Sequence, residues 1–346
     1  MNNLFLIGFF ITLIINNVYA YVEGSKVSTT YLSSTNKFKY SNITELVVFG
    51  DSLSAIQTNF EDMSYMRQYN PEGERWSIHL SDLNNMTLWN YSVTGACVDK
   101  DIVPRQYFST TFREEYEYFL ERMSAGRMFA NNWNGNNTLF AFWLGTNDIS
   151  NLNHTLFPQT AINQTLETIG DIFFTSVKGL YNTGGRNFLI FNVQSIDETP
   201  GVYTLPGTVY GVPTNFDADV HHFNEYIQKL SKEFTTKYTD TNIIIYNIME
   251  EIRYIQEHYN DYGFISSTDF WAGKNLTEEA IPNYLWLDGL HSTFKANSIF
   301  AEDINKYLIS IENNDEEGNN ENKDEEENKD EEEKNENKDE EGNNEN

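Results

Sequence analysis

Four short stretches of the chain carry side chains that would suit acyl transfer if a fold brought them together. The first is Val47-Val48-Phe49-Gly50-Asp51-Ser52-Leu53-Ser54, where apolar residues run into Gly50 as a buried strand runs into a tight turn. Such a turn presents Ser52 at the carboxyl edge of a sheet, where open α/β sheets keep their ligand crevice. Two more strand ends deliver Thr94-Gly95-Ala96 and Gly145-Thr146-Asn147-Asp148, and near the end Asp288-Gly289-Leu290-His291 sets a carboxylate three residues before a histidine. A serine hydroxyl is a poor nucleophile until a neutral imidazole takes its proton. The imidazole in turn needs a carboxylate on its other nitrogen to hold the tautomer and steady the imidazolium. The tetrahedral oxyanion needs donors already in place, here the backbone N–H groups of Ser52 and Gly95 and the side chain of Asn147.

Each piece alone has an ordinary reading. Gly-Asp-Ser suits a turn feeding a helix N-cap. Gly-Ala after a strand suits packing, Asn-Asp a turn, and Asp-x-x-His a surface loop. The weight lies in the combination. Among the other histidines, His154 follows the Asn147 turn and is the rival base, while His79, His221, His222 and His258 fall on helical segments. Nothing resembles His-Glu-x-x-His, paired Cys-x-x-Cys, a G-x-S-x-G elbow or a phosphate-binding glycine loop, so no metal and no cofactor is expected.

The elements that must position these residues alternate. Strand-like runs lie at Leu88–Val93, Thr138–Leu144, Phe188–Val193 and Asn242–Tyr246. Between them are helical stripes through Phe112, Tyr116, Phe119 and Met123, then Ile162 to Leu180, stopped by Gly184-Gly185, then Val220 to Tyr238. Phe294–Ile311 closes the body. Alternation of this kind predicts a mostly parallel sheet with helices on both faces, in one domain over residues 21–311.

The two ends of the 346-residue chain differ from that body. Residues 1–20 hold a short apolar run, Leu4 to Ile15, and a small-residue site at Val18-Tyr19-Ala20; they read as a secretory signal peptide without the usual basic start. No other stretch could span a bilayer. Asn-x-Ser/Thr sequons at Asn42, Asn85, Asn90, Asn136, Asn153, Asn163 and Asn275 agree with an exported glycoprotein. The single cysteine, Cys97, excludes an internal disulfide and reads as a buried small hydrophobe. Residues 312–346 hold 18 Asp and Glu against four Lys, nearly half of the net charge of −29, and read as a disordered acidic tail. The body is acidic as well, which argues against nucleic acid and anionic membrane surfaces as partners.

Taken together, Gly50-Asp51-Ser52-Leu53, Gly95, Gly145-x-Asn147-Asp148 and Asp288-x-x-His291 resemble the four blocks of the GDSL, or SGNH, hydrolases, in that family's order. The resemblance implies a flavodoxin-like three-layer α/β/α sandwich with a five-stranded parallel sheet. It implies Ser52 as nucleophile, His291 as base, Asp288 as its partner, and Ser52, Gly95 and Asn147 as the oxyanion hole. Leu139 to Asp148 and Trp286 to Thr293 further resemble the acetylesterases of carbohydrate esterase family 16. In that group Gln194-Ser195-Ile196-Asp197-Glu198 would be Pro-Pro-Val-Asp-Arg, Ser292 would be Pro and Cys97 would be Thr. The expectation is a secreted, monomeric serine esterase that removes acetyl groups from small or oligosaccharide esters of the plant wall. Trp286 would offer either a sugar-binding edge or core packing under the catalytic loop. The alternatives are a lipase or phospholipase on the same scaffold, and a non-catalytic wall-binding protein.

Overall fold

Side-chain alternation along the strands decides the architecture. In the computed structural model, which describes residues 26–67, 73–105, 110–203, 208–209, 212–213 and 215–313, the strands are β1 (Thr29–Tyr31), β2 (Glu45–Gly50), β3 (Thr87–Asn90), β4 (Thr138–Trp143), β5 (Asn187–Phe191), a two-residue hairpin β6 (Thr208–Val209) and β7 (Val212–Pro213), and β8 (Asn242–Tyr246). The helices are α1 (Trp76–Leu83), α2 (Phe112–Met123), α3 (Thr146–Ser150), α4 (Gln159–Thr183), α5 (Pro200–Tyr203), α6 (Phe216–Lys237), α7 (Ile248–Glu257) and α8 (residues 294–313).

Val47, Phe49, Phe140, Phe142, Phe188 and Ile243 bury one face of the sheet against α2, α4 and α6. Their neighbours Leu46, Val48, Leu139, Trp143, Leu189 and Ile244 bury the other against α1, α7 and α8. Strands covered on both faces have no polar side, which is why they read as continuous apolar runs. The result is the three-layer α/β/α sandwich. Around β2 the packing is aromatic: Phe49 stacks on Phe142 with centroids 5.5 Å apart and meets Phe112 edge-on at 5.4 Å. Such pairs add about 0.5–1.5 kcal/mol each beyond burial, and these tie two strand ends to α2.

The large sheet has the order β1-β8-β5-β4-β2-β3, with every neighbouring pair parallel except β1–β8. The five parallel strands match the expected sheet and have the flavodoxin order; an antiparallel sixth strand at the edge was not expected. Thr29, Thr30 and Tyr31 pair with Ile245, Ile244 and Ile243. Three residues are too few to show a period, although β-branched and aromatic types suit a strand. The order in which strands are added reverses at β2, with β3 on one side and β4 on the other. That switch point opens the crevice at the carboxyl ends.

The signal-peptide assignment lies outside the described residues, as does the tail beyond residue 313. Helix α8 runs two residues past the expected boundary. There the Glu312 carboxylate accepts hydrogen bonds from the Ser41 backbone N–H at 2.8 Å and the Ser41 hydroxyl at 2.6 Å. Among the described residues no helix is long and apolar enough to cross a membrane.

Candidate active site

Ser52 sits in a turn immediately after β2, and the turn is built by its neighbours. Asp51 Oδ1 accepts the Leu53 N–H at 2.9 Å, while the Asp51 carbonyl accepts those of Ser54 and Ala55. No helix follows, since residues 51–54 are turn and α1 begins only at Trp76. The helix-cap reading of Gly-Asp-Ser therefore does not apply. Gly50 is required by crowding: a Cβ there would lie 2.9 Å from the Trp143 carbonyl oxygen of β4. Beneath the turn, the buried Glu115 of α2 accepts the Gly50 N–H at 3.0 Å and the Val93 N–H at 3.1 Å, which pins the ends of β2 and β3 together.

His291 reaches the same place from the far end of the chain. Leu287 N donates to the His291 carbonyl at 2.7 Å and Thr293 N to the Leu285 carbonyl at 3.0 Å, closing a tight loop over residues 288–290. Asp288 Oδ1 accepts the backbone N–H groups of Leu290 and His291, both at 2.8 Å, and Oδ2 lies 2.8 Å from His291 Nδ1. His291 Nε2 is 2.7 Å from Ser52 Oγ. Burial opposes ionisation of Asp288, but the hydrogen bond and charge of His291 and the two backbone donors outweigh it and hold the carboxyl at about 2. From the side, Gly201 N donates to the Gly289 carbonyl at 2.7 Å, an approach that a Cβ on either glycine would block.

The three expected oxyanion donors line the switch point, in unequal states. Among the described residues, the backbone N–H groups of Ser52 and Gly95 donate to no protein acceptor. Gly95 has φ +81°, a left-handed conformation that glycine adopts without strain. Asn147, at the start of α3, is already engaged: Nδ2 donates to Asp51 Oδ2 at 3.0 Å and to the Ala96 carbonyl at 2.9 Å. Its Oδ1 accepts from Arg105 Nη1 at 2.8 Å, and the same nitrogen donates to the Gly95 carbonyl. Gly145, preceding α3, has φ +115°, and a Cβ there would meet Phe223 and Val193 at 2.7 Å.

Buried carboxyls underlie this floor. Burial pushes Asp51 up to about 6, against the pull of the Leu53 N–H, His291, Arg105 and Arg75. Asp148, whose Oδ1 accepts the Val98 N–H at 2.9 Å, is pushed by burial up to about 7. Glu115 is driven well above the usual carboxylate range by burial. Its position was detectable, since a glutamate three residues after Phe112 falls on the buried face of α2. Arg105 carries no such signal; it stands ten residues past Gly95 in no pattern.

His154 does not serve Ser52; its Nε2 lies 2.6 Å from Asp219 Oδ2. Trp286 is buried, with Nε1 donating to the Ser267 carbonyl at 2.9 Å, so it packs under the loop and offers no sugar-binding edge. Cys97 is buried, its thiol pushed up to about 12 by burial. Gln194, where the resemblance expects proline, is buried and accepts the Trp143 indole N–H at 3.2 Å. Glu198, where arginine is expected, is paired with Arg253 at 2.7 Å. Of the sequons, Asn42, Asn85, Asn136 and Asn275 are exposed, while Asn153 and Asn163 are half-buried. Asn90 must be removed from the glycosylation candidates: it is buried, and its Nδ2 donates to the Ser54 carbonyl at 2.8 Å and to the Ser77 hydroxyl at 3.3 Å. Among the described residues no group of three or more His, Cys, Asp or Glu gathers as a metal site would.

An acetylesterase of Thermothelomyces thermophilus is 26% identical over 278 residues, covering 74% of this chain and 85% of its own length. An acetylesterase of Hypocrea jecorina is 24% identical over 271 residues, covering 67% and 76%. A GDSL esterase/lipase of Arabidopsis thaliana is 26% identical over 199 residues, covering 50% and 52%. The family model described as GDSL-like lipase/acylhydrolase matches residues 46–304, from the second residue of β2 into α8, and the chain therefore belongs to that family.

Proposed function

We propose that this carboxylic ester hydrolase works through an acyl-enzyme on Ser52, with His291 as base and Asp288 as the group that orients it. The observation that carries the reading is the unbroken chain of contacts from Asp288 Oδ2 through His291 Nδ1 and Nε2 to Ser52 Oγ. In that mechanism Ser52 Oγ attacks the ester carbonyl carbon while its proton passes to His291 Nε2. The negative charge moves to the carbonyl oxygen, which the Ser52 and Gly95 N–H groups receive. As the carbonyl re-forms, the bond to the alcohol oxygen breaks and His291 returns the proton to the departing alcohol. A water molecule then repeats the sequence against the acyl-enzyme, giving up its proton to His291, and collapse releases the acid and restores the Ser52 hydroxyl.

The favoured substrate is an acetyl ester on a plant-wall oligosaccharide, met outside the cell by an exported glycoprotein. Two relatives bear the name acetylesterase and cover most of the chain, which supports the acyl half of that reading. Incubating the purified protein with acetylated xylo-oligosaccharides and with p-nitrophenyl esters of increasing chain length tests it. Acetate release, with kcat/KM highest at the acetyl ester, is expected. A maximum at long acyl chains would instead assign the lipase alternative.

A further inference from the structure

The Arg105 side chain lies behind the oxyanion donors and touches two of the three residues that carry them. Its Nη1 donates both to the Gly95 carbonyl and to Asn147 Oδ1. We propose that Arg105 is a positioning residue, which fixes the Asn147 carboxamide and the Gly95 peptide and brings the positive charge that the tetrahedral oxyanion requires. The proposal rests on Ser52 being the nucleophile.

Three observations support it. The first concerns the orientation of the Asn147 amide. A guanidinium has only donors and keeps its charge at any accessible pH, so the amide must turn its oxygen toward Arg105. Its nitrogen then faces Asp51 and Ala96, on the side of the nucleophile turn. A reversed amide would set N–H against N–H and forfeit all three bonds. The second concerns the Gly95 peptide. Holding the Gly95 carbonyl restrains a residue at φ +81°, whose N–H stands open for an oxyanion. The third is charge. Asp51, Asp148 and Glu115 are carboxyls buried around this floor, where burial disfavours negative charge, and a developing oxyanion places such a charge beside them. Among the described residues Arg105 is a cation bonded directly to two of the three oxyanion residues, and its field favours the ionised forms of Asp51 and Asp148. Preorganised charge of this kind acts on the transition state and leaves ground-state binding nearly unchanged.

The test compares wild type, Ser52→Ala, Arg105→Met, Arg105→Lys and Arg105→Gly on p-nitrophenyl acetate, with inhibition by phenylboronic acid measured alongside. The boronic acid forms a tetrahedral anion when Ser52 Oγ donates an electron pair to boron and its proton moves to His291. Arg105→Met should lose kcat by about 10–100-fold, somewhat less than the roughly 10²–10³-fold typical of removing a direct donor. KM should stay within about threefold, and the inhibition constant for the boronic acid should rise in step with the loss of kcat. Arg105→Lys, with charge but no planar fork, should fall between the two. Added guanidinium should restore part of the activity of Arg105→Gly. Arg105→Met with wild-type kcat and boronate affinity would overturn the proposal. So would a loss of kcat with unchanged boronate affinity and no guanidinium rescue, which would make Arg105 merely structural. Wild type without esterase activity, or Ser52→Ala with undiminished activity, would instead sink the nucleophile assignment on which the proposal stands.

Discussion

Among the described residues, two histidine–aspartate pairs lie within 2.8 Å, look alike on paper and differ in what they leave available. His291 meets Asp288 through Nδ1 at 2.8 Å, and its Nε2 projects to Ser52 Oγ. His154 meets Asp219 through Nε2 at 2.6 Å, with Asp219 fully buried and its other oxygen accepting from Gln159 Nε2 at 2.7 Å. The first pair is local: a tight loop brings the carboxylate of residue i to the nitrogen of residue i+3 that lies nearer the main chain, so the ring tip stays outside. The second pair is long-range, between the segment after α3 and helix α6, and the partner meets the ring tip itself. The lesson is that the nitrogen left over decides the role. His291 is disposed as a base, and His154 as a clamp between two parts of the fold.

That distinction can be broken by substitution. The largest effect should come from Ser52→Ala or His291→Ala, each expected to lower kcat for p-nitrophenyl acetate by on the order of 10⁴-fold or more without changing the circular dichroism of the fold. On the proposed mechanism the double variant should be little worse than either, as for two groups that act as one unit. Additive losses would show that they do not. His154→Ala should do the reverse, with kcat within about twofold of wild type. The loss of a hydrogen bond to a buried carboxylate should cost about 1–3 kcal/mol of stability, read as a fall in Tm. A large loss of kcat with unchanged Tm would restore His154 as a rival base.

Much of this was legible in the sequence because the signals are local. Each parallel strand is a short apolar run, and the candidate site residues stand immediately past strand ends or, for Asp288 and His291, within one turn of each other. What was not legible depends on contacts between distant segments. The edge strand β1 takes its identity from β8, to which it pairs over three residues. Arg105 earns its place only because the loop after β3 folds back on Gly95 and Asn147. Asn147 could be placed at the crevice from its turn, but not its prior engagement with Asp51 and Ala96. Asn90 matches a sequon perfectly well and is nonetheless unusable, since it occupies the last position of β3 and its side chain is consumed in the interior.

The smallest expected effect concerns the charge of Asp288 and sharpens the comparison from the side of stability. In the folded chain this carboxyl is held at about 2, below its ordinary value of 3.8. A carboxyl depressed by folding contributes stability that is fully present above the unfolded value and is lost as pH falls through the folded one. Asp288→Asn keeps an oxygen for the Leu290 and His291 N–H groups, removes the charge and turns an amide N–H toward His291 Nδ1, so the charge contribution is the part of the difference that varies with pH. Because the side chain is 40% exposed, solvent screens the interaction and the effect should amount to a few degrees at most. Wild type should therefore unfold at a higher Tm than Asp288→Asn near pH 5, and the two curves should converge as pH approaches 2. A difference that stays constant over that range would mean that shape, and not charge, is what Asp288 contributes to the loop, and its claim to steady an imidazolium on His291 would weaken accordingly.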